Sequence, residues 1–174
     1  PDLGVGIHLN IIEGKSLCLD LDQLTDSEGN FNNSFGALML KALNPKNKAF
    51  AEQVEKEFRA QIEKVISRTK VTHIDSHVHT HSIPKIFEIT AKLAKEYGIK
   101  QIRTQFEKPY LMPDVSRIFN RKYPVNMIKV ALLQFFTLIN EKTVFKYGLT
   151  TNDYLLGVSF TSMMNSLAIS YGLM

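Results

Sequence analysis

A single cysteine, Cys18, is all the thiol chemistry that the 174 residues carry. That excludes an internal disulfide framework and fits a reducing compartment, so a cytoplasmic protein is expected, with Cys18 acting as a small buried hydrophobe. Long apolar runs are missing too. The longest, from Val130 to Ile139, is interrupted by Gln134 and Thr137 and falls well short of the ~20 residues that span a bilayer. Neither a membrane span nor a signal peptide is expected. The net charge is only +4, and the lysines are scattered along helical segments rather than gathered with aromatics into a stripe, so no nucleic-acid partner is expected. Repeats and low-complexity tracts are absent. An initiator methionine is absent as well, and the chain runs from Pro1 into a strand and stops at Met174 straight after a helical pattern. It reads as the central portion of a longer sequence. What remains is 44% hydrophobic and 22% charged, the composition of one ordinary folded domain over residues 1–174.

What the sequence has in excess is histidine, in one place. Four of its five histidines fall within nine residues, in Thr72-His73-Ile74-Asp75-Ser76-His77-Val78-His79-Thr80-His81. Read at period two, His73, Asp75, His77, His79 and His81 share one face of an extended segment, and Ile74 and Val78 take the other. The fifth, His8, shares a face with Asn10 in a second strand-like run, opposite Ile7, Leu9 and Ile11. A lone histidine on a strand is usually structural, held by an ordinary hydrogen bond. Four at alternate positions beside an aspartate point instead to a metal site, because imidazole is the commonest protein ligand for zinc and related ions. A catalytic metal usually takes three protein ligands and keeps a position open, so some of the five must orient, bind substrate or carry protons.

The rest of the pattern alternates strand and helix. After the first strand, residues 15–35 are rich in Asp, Asn, Ser and Gly and read as a long loop leaving the strand end that bears His8. Helices are expected from Ser34 to Leu43 and from Lys48 to Ser67, the latter with Val54, Phe58, Ile62 and Val65 on one face. A strand over 71–75 leads into the histidines, and a helix opens at Pro84 and ends at Gly98. A strand over 99–104, a helix from Pro124 to about Asn140 and a last helix from Ser159 to Tyr171 complete the chain. Strand followed by helix, repeated, predicts an α/β fold with a parallel sheet. The helix from Pro124 serves either as core or as a contact in a homodimer.

Two stretches of this sequence resemble a known family. Gly4-Val5-Gly6-Ile7-His8-Leu9-Asn10 with Glu13-Gly14, and Thr72 to His81 with Pro84, are similar to the two internal signatures of the YdjC-like carbohydrate deacetylases, which include chitooligosaccharide deacetylases. Ile102-Arg103 with Glu107, and Gly148 to Asp153 with Gly157, resemble later family segments. The resemblance implies an irregular (β/α) barrel of the polysaccharide-deacetylase-like type, incomplete here, and metal-dependent removal of acetyl groups from N-acetylated sugars. It implies one divalent ion, magnesium or zinc, held by His8 and His77. His79, His81, Arg103 and Glu107 become substrate-binding candidates, with Asp75 and Asn10 in support. Phe106, Tyr110 and Met112 are either a wall for sugar stacking or core. Two family features have no counterpart in this chain: the Asn-Ala-Asp-Asp-Phe-Gly motif of the first strand, which carries a third ligand and the catalytic base, and a late His-Pro-Gly motif. The base is therefore expected upstream of Pro1, and the general acid has no assignment. Two competing readings stay open. Asp75 to Ser82 also resembles the first motif of polymerase-and-histidinol-phosphatase-type phosphoesterases, and a non-catalytic metal-binding module would need no aspartate pair.

Overall fold

Ile7, Leu9 and Ile74 are buried while His8 and Asp75 between them are not, and this alternation makes a one-sided sheet. The computed structural model describes residues 3–108, 110 and 120–173. Strands β1 (Gly6–Leu9), β2 (His73–Ser76) and β3 (Gln101–Ile102) form a parallel sheet in that order. Gly6 is opposite His73 and His8 opposite Asp75, and His73 in turn is opposite Gln101. Gly6 leaves room for the neighbouring ring, since a Cβ there would lie 2.2 Å from His73 Nε2 and the imidazole would have to swing away. Beyond β3, Thr150 continues the sheet as a single parallel bridge to Gln101. Its carbonyl accepts from the Ile102 N–H at 3.0 Å, and its N–H donates to Lys100 O at 2.9 Å.

The connections are helical, as the periodicity predicts. Helix α1 (Phe35–Leu43) is capped by Ser34, whose hydroxyl accepts from the Ala37 N–H, and α2 (Lys48–Ile66) by Asn47, which accepts from Phe50. Val54, Phe58 and Ile62 of α2 are completely buried and join Ile7, Leu9, Ile11 and Ile74 in the main core. Helix α3 (Pro84–Glu96) opens on proline and is closed by Gly98 at φ 70°. Cys18 is half-buried against the core. The loop over 15–35 is not idle chain. It buries Leu21, Leu24 and Phe31, and the carboxylate of Glu57 on α2, itself buried, accepts from the N–H groups of Leu17 and Cys18 at 3.0–3.2 Å.

Three expectations need correction. The strand expected over 99–104 is reduced to Gln101–Ile102, because after Arg103 the backbone N–H groups turn to side-chain acceptors, Thr104 donating to Asn152 Oδ1 at 2.8 Å and Gln105 to Thr137 Oγ1 at 3.2 Å. The helix from Pro124 begins earlier and runs further, as α4 (Lys122–Tyr147), until left-handed Gly148 stops it. The last helix, α5 (Ser166–Gly172), is short. Residues 157–161 are pulled out of helical geometry by Glu107 and Asn126, which take up their backbone N–H and C=O groups. No helix among the described residues is long and apolar enough to cross a membrane.

Candidate functional site

The register of the sheet builds the site. Because His8 and Asp75 are opposite each other in adjacent strands, their side chains leave the sheet on one face and His8 Nδ1 meets Asp75 Oδ1 at 2.6 Å. A carboxylate only accepts, so Nδ1 of His8 carries a proton, and in the neutral ring the lone pair falls to Nε2. Arg103 follows β3 and is held there by its N–H on Ile74 O. Its guanidinium reaches the second oxygen of Asp75 at 2.6 Å. The three strands thus deliver His8, Asp75 and Arg103 as a row.

His77 begins the 3-10 turn His77–Ser82 beyond the end of β2. Its ring stands edge-on to His8 with centroids 5.7 Å apart, and its Nε2 lies 3.4 Å from Glu13 Oε1. Glu13 comes from the loop after β1, and Asn10 shapes that loop. The Asn10 side chain accepts from the Ile12 N–H at 2.9 Å and donates to Glu13 O at 2.8 Å. His8 and His77 are both open to solvent, whereas Asp75 between Arg103 and His8 is mostly covered.

The common histidine face predicted from period two ends at Ser76. Val78 and His79 adopt left-handed backbone, φ 51° and 58°, and this reverses the chain. His73 ends up lying across Gly6, with its Nδ1 on Thr72 Oγ1 at 2.9 Å. His79 turns inward, and burial, with the Arg103 charge adding to it, pushes its pKa down to about 4. His81 is fully buried. Its Nε2 donates to Arg103 O at 2.7 Å, and its Nδ1 accepts from the Ser76 hydroxyl at 2.5 Å. Ser76 Oγ in turn accepts from the His81 N–H and from Thr80. Burial also lowers the His81 pKa to about 4.

Glu107 is buried away from the histidines. Its carboxylate accepts from the N–H groups of Gly157 and Ser159, at 2.6 and 2.9 Å, and from the Ser159 hydroxyl. Of the three residues considered for an aromatic wall, Tyr110 packs on Phe160 with centroids 5.0 Å apart, Phe106 is exposed, and Met112 lies outside the described residues. Beside the histidines opens a cavity of about 300 Å³ lined by Phe35, Val78, His79, Leu132, Leu133 and Val158, with Lys129 and Thr161 as its other polar edges.

His8 and His77 fit a metal by their chemistry: two neighbouring imidazoles, one fixed by a carboxylate on its far nitrogen. They supply two donors. Among the described residues no three His, Cys, Asp or Glu side chains gather closely enough to hold an ion. Sequence reasoning passed over Glu13 as the neighbour of His77, although its place just beyond the strand bearing His8 was a usable signal. It also passed over Gln105, buried near His81, which no pattern distinguishes.

The model of the family described as "YdjC-like protein" matches residues 1–170. A carbohydrate deacetylase from Clostridium beijerinckii is 38% identical over 135 residues, covering 75% of this chain and 52% of that protein. One from Brevibacillus brevis is 41% identical over 100 residues, 57% of this chain and 37% of the relative. One from Geobacillus stearothermophilus is 33% identical over 132 residues, 74% and 49% respectively. The matched part of this chain spans about half or less of each relative's length.

Proposed function

We propose, because the chain belongs to the YdjC-like family, that the whole protein is a carbohydrate deacetylase that hydrolyses the acetamide of N-acetylated sugars with one divalent ion, zinc or magnesium. The observation that carries this reading is the pair His8 and His77, ring against ring at the end of two adjacent strands, with Asp75 and Arg103 behind His8. These two imidazoles would hold the ion. Such an ion would supply polarisation of the acetyl carbonyl and a lower pKa for a water molecule, whose proton a base could then remove to leave the attacking hydroxide.

The chain's own residues do the rest. Asp75 keeps a His8 proton on Nδ1, so that Nε2 is the ring nitrogen that would bind the ion. Arg103 balances the Asp75 charge and fixes its second oxygen, and its remaining guanidinium N–H groups would donate to the substrate. His79, neutral at pH 7 because of its depressed pKa, offers a hydrogen bond rather than a charge to the bound sugar. The apolar cavity beside it receives the acetyl methyl group. His81 and Glu107 bind substrate only indirectly, by fixing Arg103 and the 157–159 turn. The base is an aspartate of the family's first-strand motif, outside these residues. The fold of the whole protein is an irregular (β/α) barrel, a reading supported by parallel strands that follow one another in chain order.

The test is metal content by elemental analysis together with acetate release from N-acetylated chitooligosaccharides, on the whole protein and on its His8→Ala and His77→Ala variants. Stoichiometric metal that each substitution removes, with loss of acetate release, is expected. Metal that survives loss of His8 but not of His77 would favour the phosphoesterase-type cluster instead. A folded protein that takes up no metal would sink the reading.

A further inference from the structure

Glu13 stands on a loop with its side chain 74% exposed, yet the backbone that carries it is tied down. Strand pairing ends at Leu9, opposite Ser76, so beyond that point the sheet no longer holds the chain. Helix α2 takes over at the next residue. Gln61 Oε1 accepts from the Asn10 N–H at 2.9 Å, and Gln61 Nε2 donates to Asn10 O at 2.7 Å. The other N–H of that nitrogen donates to Glu57 Oε1 at 2.8 Å, one helical turn away. A carbonyl and a carboxylate only accept, so the amide can stand just one way round. Glu57 in turn holds the N–H groups of Leu17 and Cys18. One face of α2 therefore grips the turn at both ends. In between, Ile12 O accepts from the Asn33 N–H at 3.2 Å and Gly14 O from the Phe31 N–H at 2.8 Å.

We propose that Gln61 is a positioning residue for the pair His8 and His77, acting through Asn10 and Glu13. Asn10 lies two residues beyond His8, and its side chain accepts from the Ile12 N–H and donates to Glu13 O. Where Gln61 holds the Asn10 backbone thus decides where Glu13 leaves the turn. From there Glu13 Oε1 comes within 3.4 Å of His77 Nε2. The route from Gln61 to His77 is a chain of polar contacts, and none of them passes through the sheet. This gives an exposed carboxylate the fixed position that an outer support of a site needs. The hydrogen bonds of Gln61 go to Asn10 and Glu57, so its influence on the histidines is indirect. The inference rests on the reading of His8 and His77 as the imidazoles that would hold the ion, and it adds a residue from a helix that carries no histidine.

The experiment uses Gln61→Met in the whole protein, which keeps the length of the side chain and removes its three hydrogen bonds. Zinc binding, read by competition with a chelator, is expected to weaken about tenfold. In the metal-free protein the imidazole nitrogen signals of His77 should shift and the Ile12 amide should exchange faster. Gln53→Met is the control. Gln53 lies about two turns earlier on α2 and accepts from the Gln23 N–H of the same loop at 2.8 Å, away from residues 10–13, so this variant should lose stability and keep its zinc affinity. In a Glu13→Ala background, Gln61→Met should change zinc affinity by less than about twofold, because the route to His77 is already cut. Additive losses in that double variant, or an equal loss in Gln53→Met, would make Gln61 merely structural and overturn the proposal. His77 signals that stay in place would overturn it too. A wild type that takes up no zinc or releases no acetate would sink the deacetylase reading by itself, and the His77 signals of the metal-free proteins would still decide the role of Gln61.

Discussion

His77 and His81 are four residues apart on one turn, and they are chemically opposite. His77 is open to water, with one ring nitrogen near Glu13 and the other without a hydrogen bond among the described residues. His81 is sealed in the interior with both nitrogens taken, one by a backbone carbonyl and one by a serine hydroxyl. The difference comes from two residues of left-handed backbone between them. A histidine-rich segment is therefore not one site: the turn divides it into side chains free to act and side chains that hold the others still. Asp75 belongs to the first group by contact, since it grips His8, and Arg103 joins the two. Its guanidinium holds Asp75 while its carbonyl holds His81.

Removing His77 should break the comparison on the functional side alone. His77→Ala is expected to lower kcat/KM for acetate release at least a thousandfold, about 4 kcal/mol in transition-state terms, with unfolding free energy changed by less than about 0.5 kcal/mol. Steady-state assay and urea titration on the same preparation check both halves.

His81 should do the reverse. His81→Ala leaves the Arg103 carbonyl without its donor and Ser76 without an acceptor in a dry interior, and about 3 kcal/mol of stability is expected to go. The same residue makes stability depend on pH. Its pKa is about 4 in the fold against an ordinary 6.5. Above pH 6.5 both states hold it neutral and its contribution is complete. As the pH falls from 6.5 toward 4 the unfolded chain takes up the proton first, so stability is lost, by about 3 kcal/mol at the lower end for a group this deeply buried. Urea midpoints measured across that range should fall steeply for wild type and more shallowly for His81→Gln.

Asp75→Asn sharpens the comparison from the middle. An amide in place of the carboxylate can still hydrogen-bond His8, but it no longer fixes the proton on Nδ1 or balances Arg103. A 10–100-fold fall in metal affinity is expected, read by competition with a chelator.

Much of the fold was legible, and the reasons are local. Ile7, Leu9 and Ile11 alternate, Val54, Phe58 and Ile62 recur at helical spacing, and Ser34, Pro84 and Gly98 mark helix ends. Each of these signals needs only neighbours in sequence, and each is found where expected. What was not legible depends on distant partners. Nothing in Ser76-His77-Val78-His79 announces a left-handed turn, because valine is among the residues least suited to one. Nothing beside Glu57 in the sequence marks it as buried, and Glu107 is expected there as a substrate-binding residue, yet both are buried because loops 17–18 and 157–159 present backbone N–H groups that need acceptors. The nearness of His8 to Asp75 is a matter of strand register, which spacing alone does not give. The resemblance to a family pointed to His8 and His77 together, and the sheet places them side by side.

The smallest effect expected concerns the turn itself. Val78 sits at φ 51°, ψ 28°, a conformation that costs an L-residue roughly 1–2 kcal/mol and suits a β-branched one least. Asparagine visits this region more readily, so Val78→Asn should raise the unfolding free energy by about 0.5–1 kcal/mol. Val78→Gly also relieves the strain, but it frees the unfolded chain by a similar amount and should leave stability nearly unchanged. Urea midpoints of the three proteins separate these cases, and equal midpoints would mean that the turn stores no strain. Val78 also forms one wall of the apolar cavity beside His79. If a strained valine is retained there for its shape, the stabilised asparagine variant should bind the N-acetyl group more weakly, with KM rising several-fold while His77 and its metal content stay as they were.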